Sequence, residues 1–301
     1  MSHIKDKKIG FIGLGSMGKP MAINIAKAKF PITVHDIREE PLAEMKKLGA
    51  KIAKNAEEVG RESDTVVVMV LTYPQVKEVV LPPAGVLSGM RSGSTLIITS
   101  TISPLDVAEV EKVARQSGVA VIDSPVSGGR IGAEDGTLAL MVGADQKVFE
   151  DNEEVLKAMG KNIYHVGKVG QGETVKMINQ ILVAAHQIAT AEALVMAKKL
   201  GVDLQVLVDV ISNSVGDSRI WRLLAPRMIV GDFEAKGAIN TMSKDTRLIM
   251  DTGVALGVPL LCTSLTYQIF QWAESRGLGK QDITSLITMF EEYAGVKVSE
   301  G

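Results

Sequence analysis

Lys176 and Asn179 are the residues whose types and spacing promise chemistry most directly. They lie in Gly170-Gln171-Gly172-Glu173-Thr174-Val175-Lys176-Met177-Ile178-Asn179-Gln180, a glycine-hinged turn running into an apolar helical stretch. Side chains at i and i+3 share a helix face, so amine and amide project together from the start of the helix. A lysine on the apolar side of a helix either reaches along its methylenes to water or is held back for proton transfer. A second cluster, Asp123-Ser124-Pro125-Val126-Ser127-Gly128-Gly129, ends in a turn that offers a hydroxyl and backbone N–H groups unshielded by side chains. Such a turn suits a carboxylate, although Pro and Gly would also mark a plain sharp bend.

A third cluster points to a dinucleotide. In Gly13-Leu14-Gly15-Ser16-Met17-Gly18 the glycines are spaced G-x-G-x-x-G, after a β-rich run and at the opening of a helical one. That context allows a tight turn, close backbone approach to pyrophosphate, and a helix N-terminus aimed at its charge. The next β-rich run ends at Asp36, where a carboxylate would accept hydrogen bonds from the adenosine ribose hydroxyls. The same charge would repel a 2′-phosphate and favours NAD. Arg38, two residues on, is the kind of side chain that accommodates that phosphate and keeps NADP as the alternative.

The elements that must position these clusters fall into two styles. Short β-rich runs at Lys8–Ile12, Ile32–Asp36, Thr65–Val70, Thr95–Thr99 and Val119–Asp123 alternate with helical runs at Met17–Lys29, Glu40–Leu48, Pro74–Val80 and Ser103–Ser117. This is the pattern of a parallel sheet with crossover helices. Two further β-like segments, Thr137–Val142 and Asn162–Val166, flank a helical run from Asp145 to Met159. Beyond Gly172 neither glycine nor proline occurs before Gly201, which predicts one helix over 173–200, roughly 42 Å long at about 1.5 Å per residue. Later runs at Leu204–Ser214, Ser243–Leu256, Pro259–Arg276 and Asp282–Tyr293 also read helical. The expected fold class is α/β: an N-terminal Rossmann dinucleotide-binding domain over 1–168, then 169–301 as an all-helical domain for substrate and dimerisation, opened by the long interdomain helix.

Composition narrows the partners. The 33 basic and 35 acidic residues leave a formal charge of −2, with no long block of either sign to attract nucleic acid or an anionic membrane. Cys262 is the only cysteine, which excludes an intrachain disulfide and fits a reducing compartment. Met1 to Lys8 shows no signal-peptide core, and the apolar runs read as too short to span a bilayer, so the cytoplasm is expected. His3, His35, His165 and His186 show no metal-ligand spacing, and no metal is expected.

The motifs GFIGLGSMGKPMAINIAKA (10–28), STISP (100–104), DSPVSGG (123–129), GQGETVKMINQ (170–180) and SKD (243–245) follow one another across nearly the whole chain. In that order they resemble the β-hydroxyacid dehydrogenase family, to which 3-hydroxyisobutyrate dehydrogenase and tartronate semialdehyde reductase belong. The resemblance implies Lys176 as the catalytic lysine and Asn179 as the residue positioning the substrate hydroxyl. It implies Ser127, Gly128 and Gly129 as the carboxylate cradle. Thr101 and Lys244 would contact the nicotinamide half of the cofactor, and Leu71 and Thr72 the loop lining it. Gln180 stands where many members have a second asparagine, and Leu71-Thr72 replaces the usual Leu-Pro. Both departures weaken transfer of substrate identity.

What the resemblance implies is hydride transfer between a nicotinamide and a short β-hydroxy acid or its semialdehyde, in a homodimer or homotetramer. A four-carbon sugar acid such as threonate is an alternative substrate. Imine reductases on the same scaffold lack the lysine, and a non-catalytic cofactor-binding protein would be expected to have lost Lys176 or the Ser-Gly-Gly turn. The polar segment Ser212–Arg222 would contact the distal end of the substrate through Arg219 or Arg222, unless both arginines form surface ion pairs. Trp221 is expected in the core.

Overall fold

The computed structural model describes residues 6–299, so His3 lies outside the described residues. The chain divides into two compact units, Met1–Lys176 and Met177–Gly301, with the boundary inside the long helix.

In the first unit, β1 (Ile9–Ile12), β2 (Ile32–His35), β3 (Lys51–Ile52), β4 (Thr65–Val68), β5 (Thr95–Ile98) and β6 (Ala120–Asp123) form a parallel sheet in the order 3-2-1-4-5-6. β7 (Val126–Ser127) and β8 (Leu138–Gly143) turn it antiparallel, and β9 (Gly160–Gly167) pairs parallel with β8. The crossovers are α1 (Gly18–Lys27), α2 (Glu39–Lys47), α3 (Ala56–Arg61), α4 (Tyr73–Val80) and α5 (Pro104–Gln116), followed by α6 (Gly129–Glu134) and α7 (Gln146–Met159). The unbroken apolar run in β4 has a simple cause. Val67 packs with Phe11 and Ile97 on one face of the sheet, while Val66 and Val68 pack with Leu96 and Ile98 on the other, so the strand is covered on both sides.

Four short elements of this unit, β3, β7, α3 and α6, were not expected from sequence. β3 and β7 have two residues each, too few for any periodicity to register. α3 is a six-residue helix whose signal is its cap: the Asn55 side chain accepts the Glu58 N–H.

α8 (Gln171–Lys199) begins in the first unit and continues through the second. The second unit adds α9 (Leu204–Ser212), α10 (Arg219–Ile229), α11 (Ile239–Leu256), α12 (Leu261–Ser275) and α13 (Ile287–Ala294). Its core joins Ala184, Ile188, Ala191 and Leu194 of α8 to Trp221, Leu224 and Met228 of α10 and to Phe270 of α12. α10 went unrecognised because its first turn falls in the polar segment Ser212–Arg222 and Pro226 stands inside the helix; the Ser218 hydroxyl caps it by accepting the Trp221 N–H. By length and composition α8 could also cross a bilayer, with mean hydropathy 1.3, which corrects the expectation that every apolar run is too short. Half of that stretch is buried within the protein itself, as in a core helix.

Candidate functional site

The strand register aligns one edge of the sheet. Ile12 pairs with His35 and with Val68, Val68 with Ile98, and Ile98 with Asp123. The segments that leave these five parallel strands therefore emerge side by side: Gly13–Gly18, Asp36–Arg38, Met69–Thr72, Thr99–Thr101 and Ser124–Gly129. Ligands in open α/β sheets bind at this end, at the point where strand order reverses, here between β1 and β4.

Each glycine of the first segment has a separate cause. Gly13 holds φ +93°, and a Cβ there would collide with the Met69 carbonyl. A Cβ on Gly18 would collide with the Gly13 carbonyl, so α1 packs against the turn only because that position is bare. At Gly15 a Cβ would meet nothing within 4 Å, which leaves open backbone where a pyrophosphate would approach. The turn thus fits a dinucleotide on its own geometry. Leu14 is buried, Met17 half-buried and Ser16 exposed.

Asp36 accepts the Leu14 N–H at 2.6 Å. Arg38 donates to both carboxylate oxygens, at 3.0 and 3.2 Å, and to the Leu14 carbonyl at 3.0 Å. Burial works against the Asp36 charge, but hydrogen bonds from the Arg38 guanidinium and from the Leu14 and Arg38 N–H groups outweigh it. They hold the carboxyl below its ordinary range.

On the neighbouring segments, the Gln75 side chain accepts the N–H groups of Leu71 and Thr72 and fixes the start of α4. The buried Ser100 hydroxyl accepts the Val70 N–H at 2.9 Å. Ser103 caps α5, with Pro104 in its first turn, which leaves Thr101 half-buried just past β5. STISP is therefore a strand exit, a tie to the next loop and a helix start in five residues.

Lys176 is buried, at 7% exposure, and its Nζ donates to the Val126 carbonyl at 2.8 Å. The next three residues are Ser127, Gly128 and Gly129. Gly128 has φ +136° and Gly129 φ +62°, values that side chains disfavour, so the turn needs both glycines. The Ser124 hydroxyl beside it is buried and finds no hydrogen-bond partner among the described residues. Asp123, given no role from sequence, is fully buried and accepts the N–H groups of Gly170 at 2.6 Å and Glu173 at 2.8 Å. Burial, opposed by these N–H bonds, pushes its carboxyl up to about 6.

Asn179 lies one turn beyond Lys176 on α8. In the helical unit its Nδ2 donates to Gln180 Oε1 at 3.0 Å, and Gln180 Nε2 donates to Asp245 Oδ2 at 2.7 Å. Lys244 Nζ pairs with Asp245 Oδ1 at 2.8 Å. Asn179 and Lys244 thus meet through Gln180 and Asp245, two residues that sequence reading left without function although both stand inside recognised motifs. Arg222 is committed to Asp217 at 2.8 Å and to the Ser212 carbonyl at 2.9 Å, a surface pairing. Arg219 opens α10, is exposed and takes no part in the Asn179 network. Trp221 is core. His35 and His165 bond backbone carbonyls, and His186 is exposed.

Residues 8–167 match the NAD binding domain of 6-phosphogluconate dehydrogenase, and residues 170–290 the NAD-binding domain of NADP-dependent 3-hydroxyisobutyrate dehydrogenase. Over 298 residues, 99% of each chain, the sequence is 38% identical to 2-(hydroxymethyl)glutarate dehydrogenase of Eubacterium barkeri. The chain belongs to the β-hydroxyacid dehydrogenase family. It is also 36% identical to 2-hydroxy-3-oxopropionate reductase of Escherichia coli K12, over 97% of this chain and 100% of that one. The solved structure of Mycobacterium tuberculosis 3-hydroxyisobutyrate dehydrogenase with L-serine matches with a TM-score of 0.87 at 32% identity, covering 95% of this chain and 99% of that chain. Family membership carries the reaction class: a nicotinamide-dependent oxidoreductase of hydroxy acids, with NAD or NADP as cofactor.

Proposed function

We propose that this family member oxidises a short β-hydroxy acid, or reduces the matching semialdehyde, with Lys176 as general acid/base and Ser127-Gly128-Gly129 as the carboxylate cradle. The observation that carries the reading is the Lys176 bond to the Val126 carbonyl, because that carbonyl belongs to the residue immediately before the cradle. A buried amine there is within reach of a hydroxyl on an acid seated in the turn. In oxidation the neutral amine takes the hydroxyl proton; in reduction the ammonium returns it. Asn179, oriented by Gln180 and Asp245, steadies the hydroxyl.

NAD, or NADP as the alternative, supplies the hydride acceptor or donor when bound. Gly13, Leu14, Gly15, Ser16, Met17 and Gly18 would hold its pyrophosphate, Asp36 its ribose, and Thr101 and Lys244 its nicotinamide half, with Leu71 and Thr72 along its side. Residues 1–168 would serve chiefly the cofactor, lending the Ser127-Gly128-Gly129 cradle to the substrate, and 169–301 chiefly the substrate and self-association, lending Lys244 to the cofactor.

With Arg222 committed to Asp217, Arg219 is the arginine left to meet a second anionic or polyhydroxylated end of the substrate. That favours dicarboxylic or sugar-acid substrates among the short hydroxy acids. A homodimer or homotetramer is supported by the exposed apolar residues Ile178, Leu182 and Met196 along α8 and Leu261 and Leu265 on α12. The exposed lone Cys262 suits a reducing compartment such as the cytoplasm.

The test is a panel of three- to five-carbon hydroxy acids and dicarboxylates, followed by the absorbance of reduced nicotinamide, with the best acid compared against its methyl ester. Each charge-assisted hydrogen bond contributes roughly 1.5–3 kcal/mol, so losing two lowers kcat/KM for the ester by at least about a hundredfold. Near-equal values for acid and ester would refute the cradle.

A further inference from the structure

Asp123 ends β6 and is wholly buried, yet the acid–base reading makes no use of it. Its carboxylate accepts the N–H of Gly170, the residue just before α8, on Oδ1 at 2.6 Å and the N–H of Glu173, in the first turn, where helix N–H groups have no partner inside the helix, on Oδ2 at 2.8 Å. A negative charge there also complements the positive end of the helix. The surroundings are shaped around it. A Cβ on Gly143 would collide with Oδ1, and one on Gly172 would lie 2.7 Å from the Asp123 main-chain oxygen, so two bare backbones close on this one residue.

Three residues after Asp123, the Val126 carbonyl accepts Lys176 Nζ; three residues before Lys176 lies Glu173, whose N–H meets the Asp123 carboxylate. The loop from β6 to β7 is therefore tied to α8 twice, by a carboxylate at the first turn and by a carbonyl about one turn later. A helix tied at one point can rotate or slide about it. Tied at both, it presents Nζ at one height against the residues that follow Val126.

We propose that Asp123 is a positioning residue that sets Lys176 in register with the Ser127-Gly128-Gly129 turn, a role that rests on Lys176 being the acid/base. Asp123→Asn keeps the shape but replaces one acceptor with a donor, so an α8 N–H loses its partner. Displacement of a catalytic group by about 1 Å costs up to about a hundredfold in rate, so kcat should fall about 10- to 100-fold with the cofactor Kd nearly unchanged. In a Lys176→Ala background the same change should alter kcat by less than about twofold, because no amine is left to misplace. Asp123→Ser, which removes both carboxylate oxygens without adding bulk, should repeat the signature, which covers the case in which Asp123→Asn does not fold. The proposal is overturned if either folded variant keeps kcat within about threefold of the parent, or if the loss recurs in full without Lys176. Retention of parental kcat by Lys176→Ala alone would instead overturn the acid–base reading, and the register role with it.

Discussion

Arg38 bridges the Asp36 carboxylate and the Leu14 carbonyl at the end of the sheet where the adenosine ribose would lie. With more than half of its side chain exposed, it can leave Asp36 to the hydroxyls of NAD or stay and meet the 2′-phosphate of NADP. Arg38→Ala should therefore lower kcat/KM for NADP by about tenfold or more, the value of one charge-assisted hydrogen bond, and leave that for NAD unchanged. Steady-state kinetics with both cofactors checks this, and equal losses for the two would remove Arg38 from cofactor choice. Single residues were legible from sequence where a side chain's type advertised its chemistry: Lys176, Asp36 and the three glycines of the first turn. Asp123, Gln180 and Asp245 were not, although all three stood inside recognised motifs. The role proposed for them is to orient other groups, and a buried hydrogen bond across 50 or 65 residues leaves no local mark.

The helical unit has its own buried polar anchor. Asp282, fully buried, accepts the N–H groups of Lys236 and Gly237 at 2.7 and 2.9 Å, the Thr284 hydroxyl at 2.8 Å and the Arg227 guanidinium at 3.0 Å. Burial alone would raise its carboxyl, but these bonds outweigh it and hold the group below its ordinary range. A depressed carboxyl stabilises the fold fully above the unfolded value near 4, and that contribution is lost as pH falls through the lower, folded value. Asp282→Asn should cost roughly 1.5–3 kcal/mol near neutrality, since it takes one of two carboxylates from Arg227, which keeps Asp232, and sets an amide N–H against the donors around it. Urea unfolding of both proteins should show the gap narrowing below about pH 4; a gap independent of pH would contradict the assignment. At this scale the long periodic elements were readable: the five main strands, and α8 within two residues at its start. α3, α6 and α10 were missed: the first two are only six residues long, and α10 carries Pro226 inside its apolar run.

At the scale of the whole molecule, the order of motifs carried more than any one of them, and it foretold the family that the comparisons establish. The proposed self-association rests on what the fold leaves uncovered. Leu182 and Met196 are 56% and 65% exposed on one stripe of α8, a poor surface for a lone chain in water. Light scattering should give a multiple of the 32.2 kDa chain mass, and Leu182→Glu with Met196→Glu should lower it. A wild-type mass of one chain would refute self-association. The central claim is that the buried amine of Lys176 moves the substrate proton, and Lys176→Ala tests it most directly, with kcat for the best hydroxy acid measured beside the cofactor Kd. General acid–base catalysis contributes on the order of 10² to 10⁴ in rate, so kcat should fall by that factor while cofactor affinity holds. A kcat within about threefold of wild type, with cofactor binding intact, would contradict the account.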